Sequence, residues 1–160
     1  PPITVSQEVI VSFSAKNKPV PQEYLESFFA RWDQFDEFTE VVPCFSLKTH
    51  RDFYAIVYWK GSLMTYEYVL LTLDMEGNSI SKKVIAGTIS NGQTVKKSVA
   101  TIDEDLCIYS VVGETLATEK NYNPPNSKGF KFEILPDGTI KSSQEENNLW
   151  EEEANPAAKN

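Results

Sequence analysis

The sequence predicts a mainly β (α+β) domain, an antiparallel meander of about eight strands with one N-terminal amphipathic helix packed on it. Residues 44–142 alternate between apolar and polar side chains with a period of two, which is typical of β-strands. The links between these runs are short, and short links join antiparallel neighbours because a parallel pair needs a long crossover. The pattern leaves open whether the sheet stays open and twisted or closes as a barrel.

One amphipathic helix is predicted at about residues 21–36. Pro21 suits its first position, and Glu23 lies in its first turn, where the positive end of the helix dipole favours an acid. An aromatic and aliphatic stripe then recurs at helical spacing, at Tyr24, Leu25, Phe28, Phe29, Trp32 and Phe35. We expect this stripe to pack on the sheet. Residues 3–13 predict an edge strand or an irregular lead-in.

The predicted strands lie at 44–49, 53–60, 65–74, 79–86, 93–102, 106–112, 129–135 and 139–142. The second and third of these are apolar on both faces, so we expect the helix to cover one side of them.

The turn DMEGNS, which begins at Asp74, has the oxygen-rich composition of a cation site. An EF-hand loop needs glycine at its sixth position and a glutamate at its twelfth, whereas Gly77 is fourth and Ile85 is twelfth. We therefore interpret this turn, and the similar PDG turn at Gly138, as hairpins whose glycine takes a positive φ. The two turns are predicted to differ by one residue in length.

A single globular domain is predicted over residues 1–143, followed by an acidic, flexible tail at 144–160. Residues 114–128 form the longest predicted loop. No apolar run reaches the ~18 residues that a membrane helix needs, so a soluble chain is expected. The chain begins with two prolines and no methionine, which suggests that a signal peptide or an added segment has been removed.

The net charge of -8 is concentrated in two places. Residues 19–43 contain six acids and one arginine, and residues 144–160 contain five acids and one lysine. Acidic surfaces repel phosphate backbones and attract basic proteins, so we predict a protein partner and no nucleic acid.

Catalytic and cofactor motifs are absent from the sequence. One histidine, His50, and two separated cysteines, Cys44 and Cys107, do not make a zinc site of three or four ligands. Neither nucleotide-binding glycine motif occurs. We therefore predict no metal, no cofactor and no catalytic residue, and interpret the cysteines as small apolar residues that can pair only if the fold brings them together.

Several segments resemble a family of small, largely uncharacterised bacterial β-rich proteins. The resemblance covers about residues 25–142 and lies in FYAIVYWK, YEYVLLTLDMEGNSISKKVIAG, SVATIDEDLCIY and GFKFEILPDGTIK. Its signature is D-x-x-G-N-x-I, followed by I-D-x-D and P-D-G-x-I. The resemblance implies an antiparallel β-fold without agreed catalytic residues, allows an immunity-type role, and leaves open the bacterial periplasm or cytoplasm as the compartment.

The leading hypothesis is a non-catalytic protein-binding module, an immunity or inhibitor protein that captures a basic partner enzyme. The predicted partner-binding residues are Glu23, Glu26, Asp33, Asp36 and Glu37. The first alternative is a carrier of small apolar ligands with a barrel cavity lined by Tyr54, Tyr58, Tyr66 and Phe132. The second is a hydrolase that uses a carboxylate pair or His50. The oligomeric state is left open.

Overall fold

A computed structural model describes residues 2–116 and 127–142, and within them nine strands form one antiparallel sheet. The strands are β1 (Ile3–Val5), β2 (Glu40–Leu47), β3 (Tyr54–Gly61), β4 (Thr65–Leu73), β5 (Ser79–Ser90), β6 (Thr94–Ile102), β7 (Cys107–Leu116), β8 (Lys128–Ile134) and β9 (Ile140–Ser142). The helices are α1 (Ile10–Lys16) and α2 (Gln22–Ser27), with single 3-10 turns at Gln7–Val9 and Phe29–Arg31.

The sheet confirms the predicted antiparallel meander. Strands β2 to β9 lie side by side in chain order, and β1 pairs with the second half of β6 through Val5 and Ala100. The order begins at β2 and ends at β9 without a pairing between them, so the sheet is open and not a closed barrel. The sheet is strongly curved, as a contact between distant strands shows. Thr72 on β4 donates a hydrogen bond of 2.7 Å to the carbonyl of Gly138 in the β8–β9 turn.

Each side of the curved sheet carries an apolar core. The concave core fills the curl and contains buried residues from nearly every strand, including Val5, Ala55, Leu70, Ile108 and Phe132. The convex core lies on the opposite side of β2 to β5 and is covered by α2 and the 3-10 turn after it. Its members are Leu25, Val41, Tyr58, Val69, Leu71 and Leu73, with Phe29, Trp32 and Phe35 packed against them. The prediction that a helical segment covers one side of the doubly apolar strands is therefore confirmed.

The predicted helix at 21–36 was too long. Helix α2 ends at Ser27, because Phe28 leaves the helical region with φ -123° and ψ -56°. Beyond it, the indole N–H of Trp32 donates to the carbonyl of Gly77 at 3.0 Å, and the Asp33 carboxylate binds two lysines of the sheet. These tertiary contacts hold the chain in a conformation that a continuous helix does not allow.

The N-terminal segment also differs from its prediction. Residues 3–5 form the expected strand, but residues 10–16 form helix α1. Its half-buried Phe13 packs on the rings of Phe45 and Tyr68 with centroids 5.6 and 6.4 Å away. Burial of this one aromatic side chain outweighs the β-branched composition of the segment, which favoured extended structure.

The strand limits agree with prediction except where pairing continues beyond the apolar run. Strand β5 runs to Ser90 instead of residue 86, because Gly87 to Ser90 pair with Val95 to Ser98 of β6. The turn is instead centred on Gly92, and the side chain of Asn91 accepts hydrogen bonds from the amides of Gln93 and Thr94. Strand β2 likewise begins at Glu40, since Val41 and Val42 are both buried.

Three hairpin turns share one conformation. In the turns at 74–78, 103–107 and 135–139, the first amide donates to the carbonyl of the fifth residue, and the fourth amide donates to the carbonyl of the first. The fourth residue has positive φ in each, and it is glycine in two turns and Leu106 in the third. The predicted difference in turn length was wrong: the additional residue is Ile80, which forms a bulge in β5 after the turn.

Both cysteines are free thiols, so they do not pair. Cys44 is buried, as predicted, and burial raises its pKa to about 12. The predicted tail at 144–160 and residues 117–126 of the predicted loop lie outside the described residues. Within the described ranges, no helix has the length and apolar character needed to cross a bilayer.

Candidate functional site

Asp33 anchors the acidic segment to the convex face of the sheet. Its Oδ1 lies 3.1 Å from Nζ of Lys60 and 2.9 Å from Nζ of Lys82, and its Oδ2 accepts the Tyr58 hydroxyl at 2.8 Å. The Asp33 side chain is 8% exposed. Burial raises its pKa, but the hydrogen bonds from Lys82 and Tyr58 and the nearby charge of Lys60 outweigh burial, so the pKa lies below its usual value.

Aromatic contacts hold the same segment on the sheet. The ring of Phe29 meets the rings of Trp32, Phe35 and Tyr58 edge to face, with centroids 5.1 to 6.4 Å apart. The hydrogen bond from Trp32 to Gly77 links this aromatic cluster to the β4–β5 turn. The segment from α2 to β2 is therefore fixed on the fold through several independent contacts, although little of it is regular helix.

The predicted partner-binding residues divide into two groups. Glu23, Glu26, Asp36 and Glu37 are exposed, as a charged binding surface requires. Asp33 is turned inward and neutralised by its lysine partners, so it holds the segment in place instead of facing a partner. Asp36 also has a structural role, since its Oδ1 accepts the amide of Phe38 and the hydroxyl of Thr39, both at 2.8 Å.

Three exposed aromatic residues lie among the exposed acids. Tyr24 is 56% exposed, Phe28 is 45% exposed and Phe38 is 58% exposed. Sequence reasoning assigned Tyr24 and Phe28 to the buried stripe and did not consider Phe38. The spacing held a signal for this, because Tyr24 and Phe28 are four residues apart and share a helix face that differs from that of Leu25 and Phe29. We call the exposed residues Glu23, Tyr24, Glu26, Phe28, Asp36, Glu37 and Phe38 the acidic-aromatic segment.

A groove of about 440 Å³ lies beside this segment. We call it the Glu67 groove. Its lining consists of Gln34, Phe35, Asp36, Thr39, Lys60, Ser62, Thr65 and Glu67. Burial raises the pKa of Glu67, and the charge of Asp33 raises it further, while Lys60 and Lys82 lower it; the net pKa is above its ordinary value. A carboxyl group with a perturbed pKa in a groove is a candidate functional group, and sequence reasoning missed it because nothing marks Glu67 within its strand.

A second groove, of about 620 Å³, lies at one end of the sheet near His50. His50 and Leu106, which both line it, are the two non-glycine residues with positive φ among those described, at 54° and 62°. His50 is exposed, and within the described ranges no hydrogen bond joins it to a carboxylate. The base-and-acid pair that a histidine-dependent hydrolase needs is therefore not assembled there.

In the turn that begins at Asp74, the carboxylate oxygens accept hydrogen bonds from within the turn itself. Oδ1 of Asp74 accepts the amides of Glu76 and Asn78 at 3.0 and 2.8 Å, and Oδ2 accepts the side-chain amide of Asn78 at 3.0 Å. These hydrogen bonds hold the pKa of Asp74 below its usual value. Among the described residues, no group of three or more histidine, cysteine or acidic side chains is arranged to hold a metal ion.

The four residues predicted to line a ligand cavity do not converge. Tyr58 belongs to the convex core, whereas Phe132 belongs to the concave core. Tyr54 is exposed, and Tyr66 stacks on Trp59 with ring centroids 5.7 Å apart. The carrier hypothesis thus lacks the lining on which it depended.

The chain matches no protein-family model, no curated protein and no solved structure. The resemblance to small bacterial β-rich proteins therefore stays a prediction. What the protein does has to be inferred from the described surfaces themselves.

Proposed function

We propose that this protein is a non-catalytic binding module of the immunity or inhibitor type, which captures a basic partner enzyme through the acidic-aromatic segment. The observation that favours it is the exposure of three aromatic side chains among exposed acids, on a segment that is fixed to the sheet. Tyrosine and tryptophan, and large apolar groups in general, act as anchors at the centre of interfaces, while charged residues form the rim.

The anchoring of the segment favours tight binding. A partner that binds a flexible segment loses free energy in ordering it, whereas a segment already held by Asp33, Trp32 and Phe29 needs little ordering. The acids contribute differently, because charges at a rim mainly speed the encounter with a basic protein and make it sensitive to salt. The two residue types thus account for separate measurable properties, the lifetime of the complex and its rate of formation.

Affinity capture from lysate of the source cells tests the proposal. The bait is the chain itself, compared with a variant that reverses two rim charges, Glu26→Lys and Glu37→Lys. The matched control reverses Asp105→Lys and Glu133→Lys, which line a groove at the other end of the sheet. Both variants change the net charge from -8 to -4, so total charge is the same in the two baits.

We expect a basic protein that the unaltered chain and the control capture equally, and that the rim variant captures at least tenfold less. Its capture by the unaltered chain should fall as NaCl is raised from 50 to 300 mM, which shortens the Debye length about 2.5-fold. The recombinant partner should then lose its activity when the chain is added. Equal capture by both variants would show that the acidic-aromatic segment is not the binding site, and an uninhibited partner would exclude the inhibitor role.

A further inference from the structure

Glu67 lies in its groove without a hydrogen bond or a close ion pair to any described residue. It stands on β4 between Lys60 of β3 and Gly87 of β5. The ammonium group of Lys60 is held by Asp33 at 3.1 Å, and Gly87 places no side chain beside the carboxylate. Within the described ranges, no hydrogen bond or ion pair reaches Glu67, although the charges of Lys60 and Lys82 act on it and lower its pKa. The oxygens of this half-buried carboxylate are thus left to accept hydrogen bonds from a group that enters the groove.

The other groups of the groove also accept hydrogen bonds. Asp36 is ionised, since hydrogen bonds from Thr39 and the Phe38 amide lower its pKa. Those hydrogen bonds use Oδ1 of Asp36 and leave its Oδ2 without one. Gln34, Thr39, Ser62 and Thr65 add uncharged polar groups to the lining. Asp33, Asp36 and Glu67 share the two ammonium groups of Lys60 and Lys82, so one negative charge is in excess and an anionic ligand would be repelled.

The composition of this acceptor set favours guanidinium over ammonium. An arginine head group is planar and offers five N–H donors, so it can bind two carboxylates and a hydroxyl group at once. A lysine head group is a strongly hydrated point charge that loses more on entering a half-buried site. Phe35 is the apolar member of the lining, and Nζ of Lys60 lies 5.2 Å from the centroid of its ring, so the ring already accepts one cation.

We propose that the Glu67 groove binds the guanidinium group of one arginine side chain inserted by the basic partner. This inference rests on the proposed function for the source of the arginine, because the groove adjoins the acidic-aromatic segment through Asp36. Binding of a guanidinium group to the isolated chain follows from the groove alone. The groove thereby gives the interface a specific recognition element in addition to the charged rim.

A titration of the isolated chain by NMR tests the groove without a partner. The probe is N-acetylarginine amide, and its matched control is N-acetylcitrulline amide, which has nearly the same shape without the charge. We expect saturable shifts at the amides of Ser62, Thr65 and Glu67 with the arginine probe and not with citrulline. Glu67→Gln should lower the affinity for the arginine probe at least fivefold. Glu133→Gln, on another strand, should leave that affinity unchanged. Equal shifts with both probes, or an unaltered affinity in a folded Glu67→Gln variant, would overturn the proposal.

Partner capture then separates this inference from the proposed function. If Glu67→Gln lowers capture at least tenfold and Glu133→Gln does not, the partner inserts its cation into the groove. Undiminished capture by Glu67→Gln, together with a loss in the rim variant, would overturn the arginine assignment while the binding function stands. Undiminished capture by the rim variant would instead contradict the proposed function, whatever the probe titration gives.

Discussion

The Tyr58 hydroxyl donates a 2.8 Å hydrogen bond to Asp33, which joins the buried convex core to the acidic segment. Burial and the neighbouring charge of Asp33 raise the pKa of Tyr58, so the phenol is a hydrogen-bond donor at neutral pH. Asp33 is the only member of the predicted acidic set that makes such contacts with the sheet among the described residues. Its carboxylate is thus part of the fold and not of the charged rim.

Acid should weaken the fold through Asp33. The pKa of Asp33 is lower in the folded chain than in the unfolded chain, so its contribution to stability is complete above the unfolded value, about 4. That contribution is lost as the pH falls through the lowered, folded value. Urea unfolding of Asp33→Asn from pH 2 to 7 should show a shallower decline of the unfolding free energy below pH 4 than the unaltered chain shows.

Removal of the Asp33 side chain should lower the free energy of unfolding more than neutralisation of its charge does. Asp33→Ala leaves the Tyr58 hydroxyl and two lysines without their acceptor, which should cost about 2–4 kcal/mol at pH 7. The amide in Asp33→Asn still accepts from Tyr58 and should cost less. Asp36→Ala is the control, because its carboxylate is exposed and binds only within its own turn. Equal losses for Asp33→Ala and Asp36→Ala would contradict the anchoring role.

The two glycine turns provide a matched pair for backbone strain. Gly77 and Gly138 have φ of 87° and 91°, so an alanine at either position is strained by roughly 1 kcal/mol. At Gly77, a Cβ meets no described atom within 4 Å, whereas at Gly138 it lies 2.8 Å from Cδ1 of Ile80 and 3.3 Å from Phe53. Thermal unfolding should therefore show a larger loss for Gly138→Ala than for Gly77→Ala. Similar losses would mean that the β8–β9 turn does not pack on β5 as described.

The strand order and hairpins could be predicted because they depend on local signals. Period-two alternation and short links specify an antiparallel meander, and the glycine of each turn indicates positive φ. Leu106 shows the limit of this approach: it takes the same conformation without the glycine that announces it, since its side chain packs on the concave core. The bulge at Ile80 was placed in the turn because spacing alone does not show where an added residue is absorbed.

The site was less predictable than the fold, because its properties arise from contacts between distant residues. Asp33 has the same local sequence character as Asp36, and only the positions of Lys60 and Lys82 turn it inward. Glu67 lies in a predicted strand and acquires its perturbed pKa from burial in the folded sheet. Helix α2 ends early for the same reason, since the anchoring of Trp32 to Gly77 is a tertiary contact. Sequence reasoning identified the charged segment but not which of its members face outward.

Glu67→Gln should make the isolated chain more stable at neutral pH. The pKa of Glu67 is raised on folding, so the folded state holds its proton more tightly and stability falls as the pH rises from the unfolded value to the folded value. An uncharged glutamine avoids this loss and should have no such advantage at pH 3, where glutamate is protonated in both states. Unfolding curves at the two pH values measure this, with Glu133→Gln, whose glutamate is exposed, as the control. A Glu67→Gln variant that is less stable at pH 7 would show that the carboxylate has an internal partner.

Removal of the exposed aromatic rings should affect binding and leave folding almost intact. Tyr24 and Phe38 are more than half exposed, so Tyr24→Ala and Phe38→Ala should each change the unfolding free energy by no more than about 0.5 kcal/mol. If the rings anchor the partner, each substitution should weaken binding by about tenfold to a hundredfold, mainly through faster dissociation. Tyr109→Ala is the matched control, because Tyr109 is a 44% exposed ring on β7, far from α2 in the strand order. Surface plasmon resonance with the captured partner distinguishes the two sites. A loss of affinity in Tyr109→Ala alone would place the interface on the outer surface of β6 and β7, where Val99 and Val111 are also exposed, and not on the acidic-aromatic segment.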